Sequence, residues 1–136
     1  MGSSEMSVSG MVSGADHSTA AIVVNATADA WTVPLRISRG YTFALELQAA
    51  VGATVNVNVD IEVGNELPTN YNAADGNFVQ YEGYSSPTIN LTDKNKHIVP
   101  ISPVPSKFLR VKLDGQAGNA ADTTVTVKLI KYQAVS

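Results

Sequence analysis

Residues 54–63 alternate strictly between apolar and polar side chains, and this run constrains the fold more than any other stretch of the chain. β-Branched residues occupy every second position, where a pleated, half-buried strand accommodates them best. The pattern therefore predicts an antiparallel strand with one buried face and one solvent-facing side. We expect Val55, Val57, Val59, Ile61 and Val63 on the buried face and Asn56, Asn58, Asp60 and Glu62 on the other.

Other segments show similar alternation or short apolar runs, and no helical period of useful length appears. They predict an all-β fold, an antiparallel β-sandwich that is jelly-roll-like, with about seven or eight strands. The segments predicted as strands, besides the first, are 20–24, 31–38, 41–48, 77–81, 96–101, 107–113 and 123–132.

Three local features refine this prediction. Pro34 cannot donate a hydrogen bond to a neighbouring strand, so its strand should lie at an edge or be broken there. Trp31, in the same strand, is expected to point inward and to fill core volume. The adjacent pair Leu129 and Ile130 indicates either a bulge or burial on both faces of the last strand.

The connections carry further expectations. A short loop separates residues 41–48 from residues 54–63, which predicts an antiparallel hairpin of adjacent strands. Pro100 is expected to help end the strand at 96–101. Residues 64–92 form a long segment rich in Asn, Pro, Gly and Tyr, with Asp75 and Gly76 as a turn before a short strand. Loops of this length usually serve recognition or assembly.

A chain of 136 residues and 14.3 kDa has the size of one domain. We assign residues 20–136 to a single sandwich and residues 1–19, rich in Ser and Gly, to an N-terminal arm. This arm is expected to be flexible or bound to a partner. Its apolar residues, such as Met6 and Met11, favour use in an assembly, and a simple leader is the alternative.

Charge and composition narrow the classes of partner. Charged residues make up only 15% of the chain, and the net charge is -3, so no basic patch for nucleic acid is expected. The absence of cysteine excludes disulfides and thiolate chemistry. No signal peptide and no apolar run of membrane-spanning length is recognisable. We therefore expect neither nucleic acid nor a membrane as partner.

Catalytic and metal-binding patterns are also missing from the sequence. Its two histidines, His17 and His97, have no recognisable serine and carboxylate to complete a triad, and no zinc spacing or phosphate-binding loop occurs. Asp60 and Glu62 belong to a row of oxygen-bearing side chains of the kind that binds Ca²⁺ or a glycan, but a solvated sheet face is the preferred interpretation. We expect no enzyme and no cofactor.

Tyrosines in the long middle segment are the best candidates for contact with a ligand or partner. Aromatic rings beside amides suit stacking on a sugar, a protein interface, or plain packing of the loop. All three interpretations are open at the level of sequence. The candidate contact residues are Tyr71, Asn72, Tyr81 and Tyr84, together with Met6 and Met11 of the arm.

The C-terminal part of the chain resembles small virion proteins of tailed bacteriophages. The similar features are a proline-rich approach at 101–106, the strand Lys-Phe-Leu-Arg-Val-Lys-Leu at 107–113, a Gly- and Asn-rich turn at 115–122, and the alternating strand that starts at Thr123. The similarity begins at about Tyr41. It is carried by this pattern and supplies no individual binding residues.

This resemblance implies a non-enzymatic protein that decorates or cements a capsid, or a short head-fibre or tail accessory. It also implies a homotrimer, made in the host cytoplasm and located on the capsid surface of the virion, with the major capsid protein or another virion protein as its partner. The alternative is a carbohydrate- or cell-surface-binding sandwich module of a phage tail or a bacterium.

Overall fold

The computed structural model describes residues 17–25, 28–37, 41–81, 88–101 and 106–133. These residues form strands and connecting segments, with no helix among them, and hence no helix that could cross a membrane. The strands are β1 (His17–Ser18), β2 (Ile22–Val23), β3 (Ala30–Trp31), β4 (Leu35–Arg36), β5 (Tyr41–Ala50), β6 (Val57–Gly64), β7 (Phe78–Gln80), β8 (Thr88–Leu91), β9 (His97–Ile101), β10 (Phe108–Gly115) and β11 (Thr124–Gln133).

Two antiparallel sheets contain all of these strands. In the first sheet, β1 and β2 pair with one edge of β11, β5 pairs with the other, and β9 follows β5. In the second sheet, β3 and β4 share one edge of β10, β6 pairs with the other, and β7 and β8 share the far edge of β6. Counting short strands on a shared edge together gives eight strand positions, four in each sheet. The predicted all-β sandwich is confirmed.

The alternating run at 54–63 is confirmed as the centre of the second sheet. β6 pairs with β10 over its whole length, so Val59 lies opposite Leu113 and Ile61 opposite Val111, and all four side chains are buried. One cluster of buried side chains fills the space between the sheets. Its strand residues include Phe43, Leu45, Leu47, Val57, Val59, Ile61, Leu109, Val111, Leu113, Val125, Val127 and Leu129.

The predicted hairpin of β5 and β6 is wrong. β5 pairs with β11 and β9 in the first sheet, whereas β6 belongs to the second sheet. The chain crosses between the sheets at Val51, whose φ is +72°, and at the buried Gly52. An ideal Cβ on Gly52 would lie 2.1 Å from Oγ1 of Thr123, so only glycine fits this crossing. The apolar faces of β5 and β6 thus meet across the core.

The expected break at Pro34 is confirmed, because β3 and β4 flank residues 32–34 at the edge of β10. Thr32 bridges the break with two hydrogen bonds to Val111, one from its backbone and one to its side chain. Its N–H donates to the carbonyl of Val111 at 2.9 Å, and its hydroxyl accepts from the N–H of Val111 at 2.9 Å. The side chain therefore replaces part of the interrupted ladder.

The inward orientation predicted for Trp31 is wrong. Trp31 lies opposite Lys112, on the outer face of the second sheet, whereas Leu35 lies opposite the core residue Leu109. The break between β3 and β4 changes the face that the chain presents to β10. Trp31 is nevertheless buried, with 8% of its surface exposed, so another part of the chain covers the outer face of the sheet at this position.

Three further strands complete the two sheets. β8 was not predicted, because its sequence Thr-Ile-Asn-Leu is short and follows a long irregular segment. β9 confirms the strand predicted at 96–101, and Pro100 lies within it because β9 forms an edge of its sheet and Pro100 is exposed there. β11 pairs with β5 without a bulge from Thr124 to Gln133, and Ile130 is half-buried on the outer side.

Candidate functional site

The segment that connects β6 to β7 lies against the outer face of the second sheet and is organised around Arg110. Arg110 lies in the middle of β10, and its position opposite Glu62 of β6 follows from the strand register. Its side chain is the largest fully buried one among the described residues, with 1% of its surface exposed. A strand position that alternation alone predicts to face solvent is therefore covered.

Three directed hydrogen bonds hold the guanidinium group. Nε donates to Oε1 of Glu62 at 2.7 Å, and Nη1 donates to the carbonyl oxygens of Tyr71 at 2.9 Å and Ala73 at 3.0 Å. Charge-assisted bonds of this kind are stronger than neutral ones, and the planar guanidinium group fixes their directions. Arg110 therefore ties the connecting segment to both central strands of the sheet.

Aromatic rings from two other strands contact the same guanidinium group. Its central carbon lies 4.6 Å from the ring centroid of Phe78 and 5.3 Å from that of Trp31. Such contacts gain strength when the cation is shielded from water, as it is here. Phe78 is in β7 and Trp31 in β3, so Arg110 joins both edges of the sheet to its centre. We call residues 65–77, whose backbone carbonyls bind Arg110, the clamped loop.

The clamped loop is also held by its own side chains. Oδ1 of Asn72 accepts from the backbone N–H of Trp31 at 2.8 Å, and Oδ1 of Asn70 accepts from the N–H of Asn72 at 3.1 Å. Oδ1 of Asp75 accepts from the N–H of Asn77 at 2.8 Å, which confirms the predicted turn before β7. The backbone of this long connection is thus fixed at several points along its length.

Apolar side chains of this region point to solvent despite the fixed backbone. Leu67 is 61% exposed, and Tyr71 is 39% exposed while its carbonyl oxygen binds Arg110. Large apolar side chains held outward on an anchored loop are typical of a surface that is covered by a partner. The clamped loop is the strongest candidate for a binding surface in the described part of the chain.

The predicted contact residues separate into three groups. Tyr71 and Asn72 belong to the clamped loop, although the side-chain oxygen of Asn72 is already engaged by Trp31. Tyr81 lies in the core cluster with only 7% of its surface exposed, so its ring is not part of the outer surface. Tyr84, Met6 and Met11 lie outside the described residues.

The polar row of β6 hydrogen-bonds mainly with its neighbours in β7 and β8. Nδ2 of Asn90 donates to Oδ1 of Asn56 at 3.0 Å and to Oδ1 of Asn58 at 2.8 Å. Oδ1 of Asp60 accepts from the hydroxyl of Thr88 at 2.6 Å and from Nε2 of Gln80 at 3.0 Å. Among the described residues, no three His, Cys, Asp or Glu side chains are grouped to hold a metal ion.

A pair of carboxyl groups lies beside this row, where β3 meets β10. Burial raises the pKa of Asp114, and a hydrogen bond with the carboxyl group of Asp29 and the charge of Asp29 raise it further. Lys112 balances part of this charge, since its Nζ lies 3.6 Å from Oδ2 of Asp29 and 5.7 Å from the ring centroid of Trp31. This corner of the sheet is therefore sensitive to pH.

His97 has a carboxylate partner that the sequence did not reveal. Its Nε2 lies 3.0 Å from Oδ1 of Asp93, four residues earlier in the β8–β9 connection. The hydrogen bond from His97 lowers the pKa of Asp93, and the backbone N–H of Asn95 contributes in the same direction. Both side chains are exposed beside β9, an edge strand of the first sheet, whereas the clamped loop lies on the outer face of the second sheet.

Arg110 and Trp31 are the site residues that sequence reasoning missed. Alternation along residues 107–113 predicts that Arg110 lies on the solvent-facing side of its strand, and the alternation of residues 31–38 predicts Trp31 in the core. No local signal reveals either position, because both depend on the register of β3, β6 and β10 and on the loop that covers them. Comparison with protein-family models gives no match, and neither does comparison with curated protein sequences.

Proposed function

We propose that this protein is a non-enzymatic structural protein of a bacteriophage virion that binds the outside of the capsid, decorates it and stabilises it. The observation that carries the proposal is the clamped loop, which holds Leu67 and Tyr71 outward on a backbone fixed by Arg110. The resemblance of residues 107–113 and the strand that follows to small phage virion proteins supplies the kind of partner. The order of the strands in two four-position sheets supports a jelly-roll topology.

Fixing the loop before binding favours a protein partner. Binding carries an unfavourable entropy when loops and side chains become ordered, and a loop that is already anchored avoids most of this cost. Tyr71 adds a large contact area with few rotatable bonds. Asn65, Asn70 and Asn77 are exposed polar residues of the same loop, and interfaces commonly combine an apolar centre with a polar rim.

Stabilisation of the capsid follows from mass action. A protein that binds the assembled shell and not its separated subunits shifts the equilibrium toward the shell, by an amount set by its concentration and dissociation constant. We propose a homotrimer as the binding form, because three copies of the clamped loop on one particle would bind with a higher effective affinity than one copy. The proposed location is the capsid surface.

The proposal is tested by mixing the purified protein with phage capsids that lack it and measuring bound protein by sedimentation. We expect saturable binding and a higher temperature of capsid disruption. The double variant Leu67→Ser with Tyr71→Ala should bind much more weakly while unfolding at the wild-type temperature. Val51→Ser is the matched control, since Val51 is 62% exposed at the crossing between the sheets, outside the clamped loop. Equal binding by the double variant and the wild type would contradict the proposal.

A carbohydrate-binding module is the second candidate, and the polar row of β6 is the observation that favours it. Nδ2 of Asn58 and Oδ1 of Asn90 keep unused donor and acceptor capacity among the described residues, in side chains that are already fixed. Binding of a glycan array by the purified protein, lost in Asn90→Ala, would favour this function. Tyr71→Ala is an informative tyrosine variant, whereas Tyr81→Ala would chiefly disturb the core.

A further inference from the structure

A surface cavity of about 440 Å³ lies beside the clamped loop, where β6 ends and β7 begins. It is open to solvent and shares Asn65, Glu66, Gly76 and Asn77 with the clamped loop. Its volume is large enough for a long side chain. Val63, Gly64 and Val79 complete the part of the lining that matters for its chemistry.

Close backbone packing and fixed side chains build the walls of this cavity. An ideal Cβ on Gly64 would lie 2.3 Å from the carbonyl oxygen of Asn77, so glycine is required for the start of β7 to approach β6. On the other side, Oδ1 of Asn65 accepts from the backbone N–H of Lys107 at 3.1 Å. Both walls are therefore in place without a ligand.

The chemistry of the lining favours one kind of side chain. Val63 and Val79 offer apolar surface, and Glu66 is the only charged residue among the described residues that line the cavity. Across residues 65–81 the charged residues are Glu66 and Asp75, both acidic, with no lysine or arginine. An apolar surface next to an exposed carboxylate matches a side chain with an aliphatic stem and a cationic head.

We propose that this cavity receives a lysine or arginine side chain of the capsid protein to which the clamped loop binds. The aliphatic stem packs against Val63 and Val79, and the cationic head lies at the carboxylate of Glu66. The inference rests on the proposed function and names the chemistry of the partner. Two arguments identify a protein partner: the cavity shares four residues with the clamped loop, and Leu67, which follows Glu66 in the chain, is exposed. An open, polar cavity would enclose a free small ligand poorly.

The experiment measures the affinity of the full chain for capsids that lack it, at low and at moderate salt. Glu66→Gln removes the charge and keeps the shape, so affinity should fall about tenfold or more, and the fall should shrink as salt screens the interaction. Glu46→Gln is the matched control. It makes the same change on the first sheet, where Glu46 faces Lys96 at 3.7 Å, and it should leave affinity within about twofold.

A second variant adds a bulky side chain at the cavity lining and leaves the charge of Glu66 in place. Gly76→Leu is suitable because an ideal Cβ on Gly76 meets no atom within 4 Å and its backbone has no left-handed φ. It should fold normally, as judged by thermal unfolding, and should lose most capsid binding. Wild-type binding with unchanged affinity in both Glu66→Gln and Gly76→Leu would overturn this inference alone. Failure of the wild type to bind capsids would overturn the proposed function and this inference with it.

Discussion

Replacement of Arg110 by methionine should both destabilise the sandwich and release the clamped loop. The change leaves the carboxylate of Glu62, whose side chain is 16% exposed, without its cation, and leaves the carbonyls of Tyr71 and Ala73 without their donor. Removing one partner of a buried ion pair typically costs about 3–5 kcal/mol. The two carbonyl bonds are broken by the same substitution, so we expect about 4 kcal/mol in total rather than a sum of separate terms.

A double variant separates the ion pair from the rest of this loss. Arg110→Met with Glu62→Met replaces both charges by apolar groups of similar length, which is often close to neutral for the pair itself. It should therefore be more stable than Arg110→Met alone, by about 1–3 kcal/mol, because the unpaired carboxylate is gone. Urea unfolding followed by circular dichroism measures all three proteins under one condition.

Hydrogen exchange tests the release of the loop independently of global stability. In Arg110→Met the backbone amides of residues 70–77 should exchange faster relative to those of β6 and β10 than in the wild type. The reasoning would be refuted if Arg110→Met lost less than about 1 kcal/mol, the typical contribution of a single hydrogen bond. Unchanged relative exchange of the loop amides would refute the clamp itself.

Three other predictions concern the scaffold. Val59→Asp places an unpaired carboxylate at a fully buried position of β6 and should abolish cooperative thermal unfolding. Asp60→Asn, on the opposite face of the same strand, should shift stability by less than about 0.5 kcal/mol. A large effect of Asp60→Asn would point to a bound ligand. Because the pKa of Asp114 is raised in the folded protein, the folded state binds a proton that the unfolded state has released, and stability falls as pH rises through that pKa. Asp114→Asn should remove this fall and be more stable than the wild type at pH 7, and equal slopes of stability against pH in both proteins would contradict the assignment. Gly52→Ala should lower the free energy of unfolding by about 1–3 kcal/mol, measured by calorimetry, because the new Cβ meets the buried hydroxyl of Thr123. Thr123→Ala in the same chain should recover part of that stability. A neutral Gly52→Ala would show that the backbone at the crossing can adjust.

The local sequence determines several structural features of this protein. The period of two in residues 54–63 determines which side chains of β6 enter the core, and the structure follows it at every position. Pro34 determines the break at the sheet edge, and Asp75 determines the turn before β7. Each of these depends on interactions within a few residues: the pleat of a strand, a missing N–H group, or a side chain that binds its own backbone.

The pairing of the strands and the position of the candidate site required the tertiary structure. Alternation indicates which face of a strand is apolar. It does not indicate which strand lies beside it, because backbone hydrogen bonds between strands are the same for every sequence. The sequence therefore predicts a hairpin of β5 and β6 that the structure does not contain. The same ambiguity hid Arg110, because an arginine on the polar side of a strand is buried only when a loop from elsewhere covers it. Register placed Arg110 opposite Glu62, between Trp31 and Phe78, and that meeting of distant segments created the clamped loop.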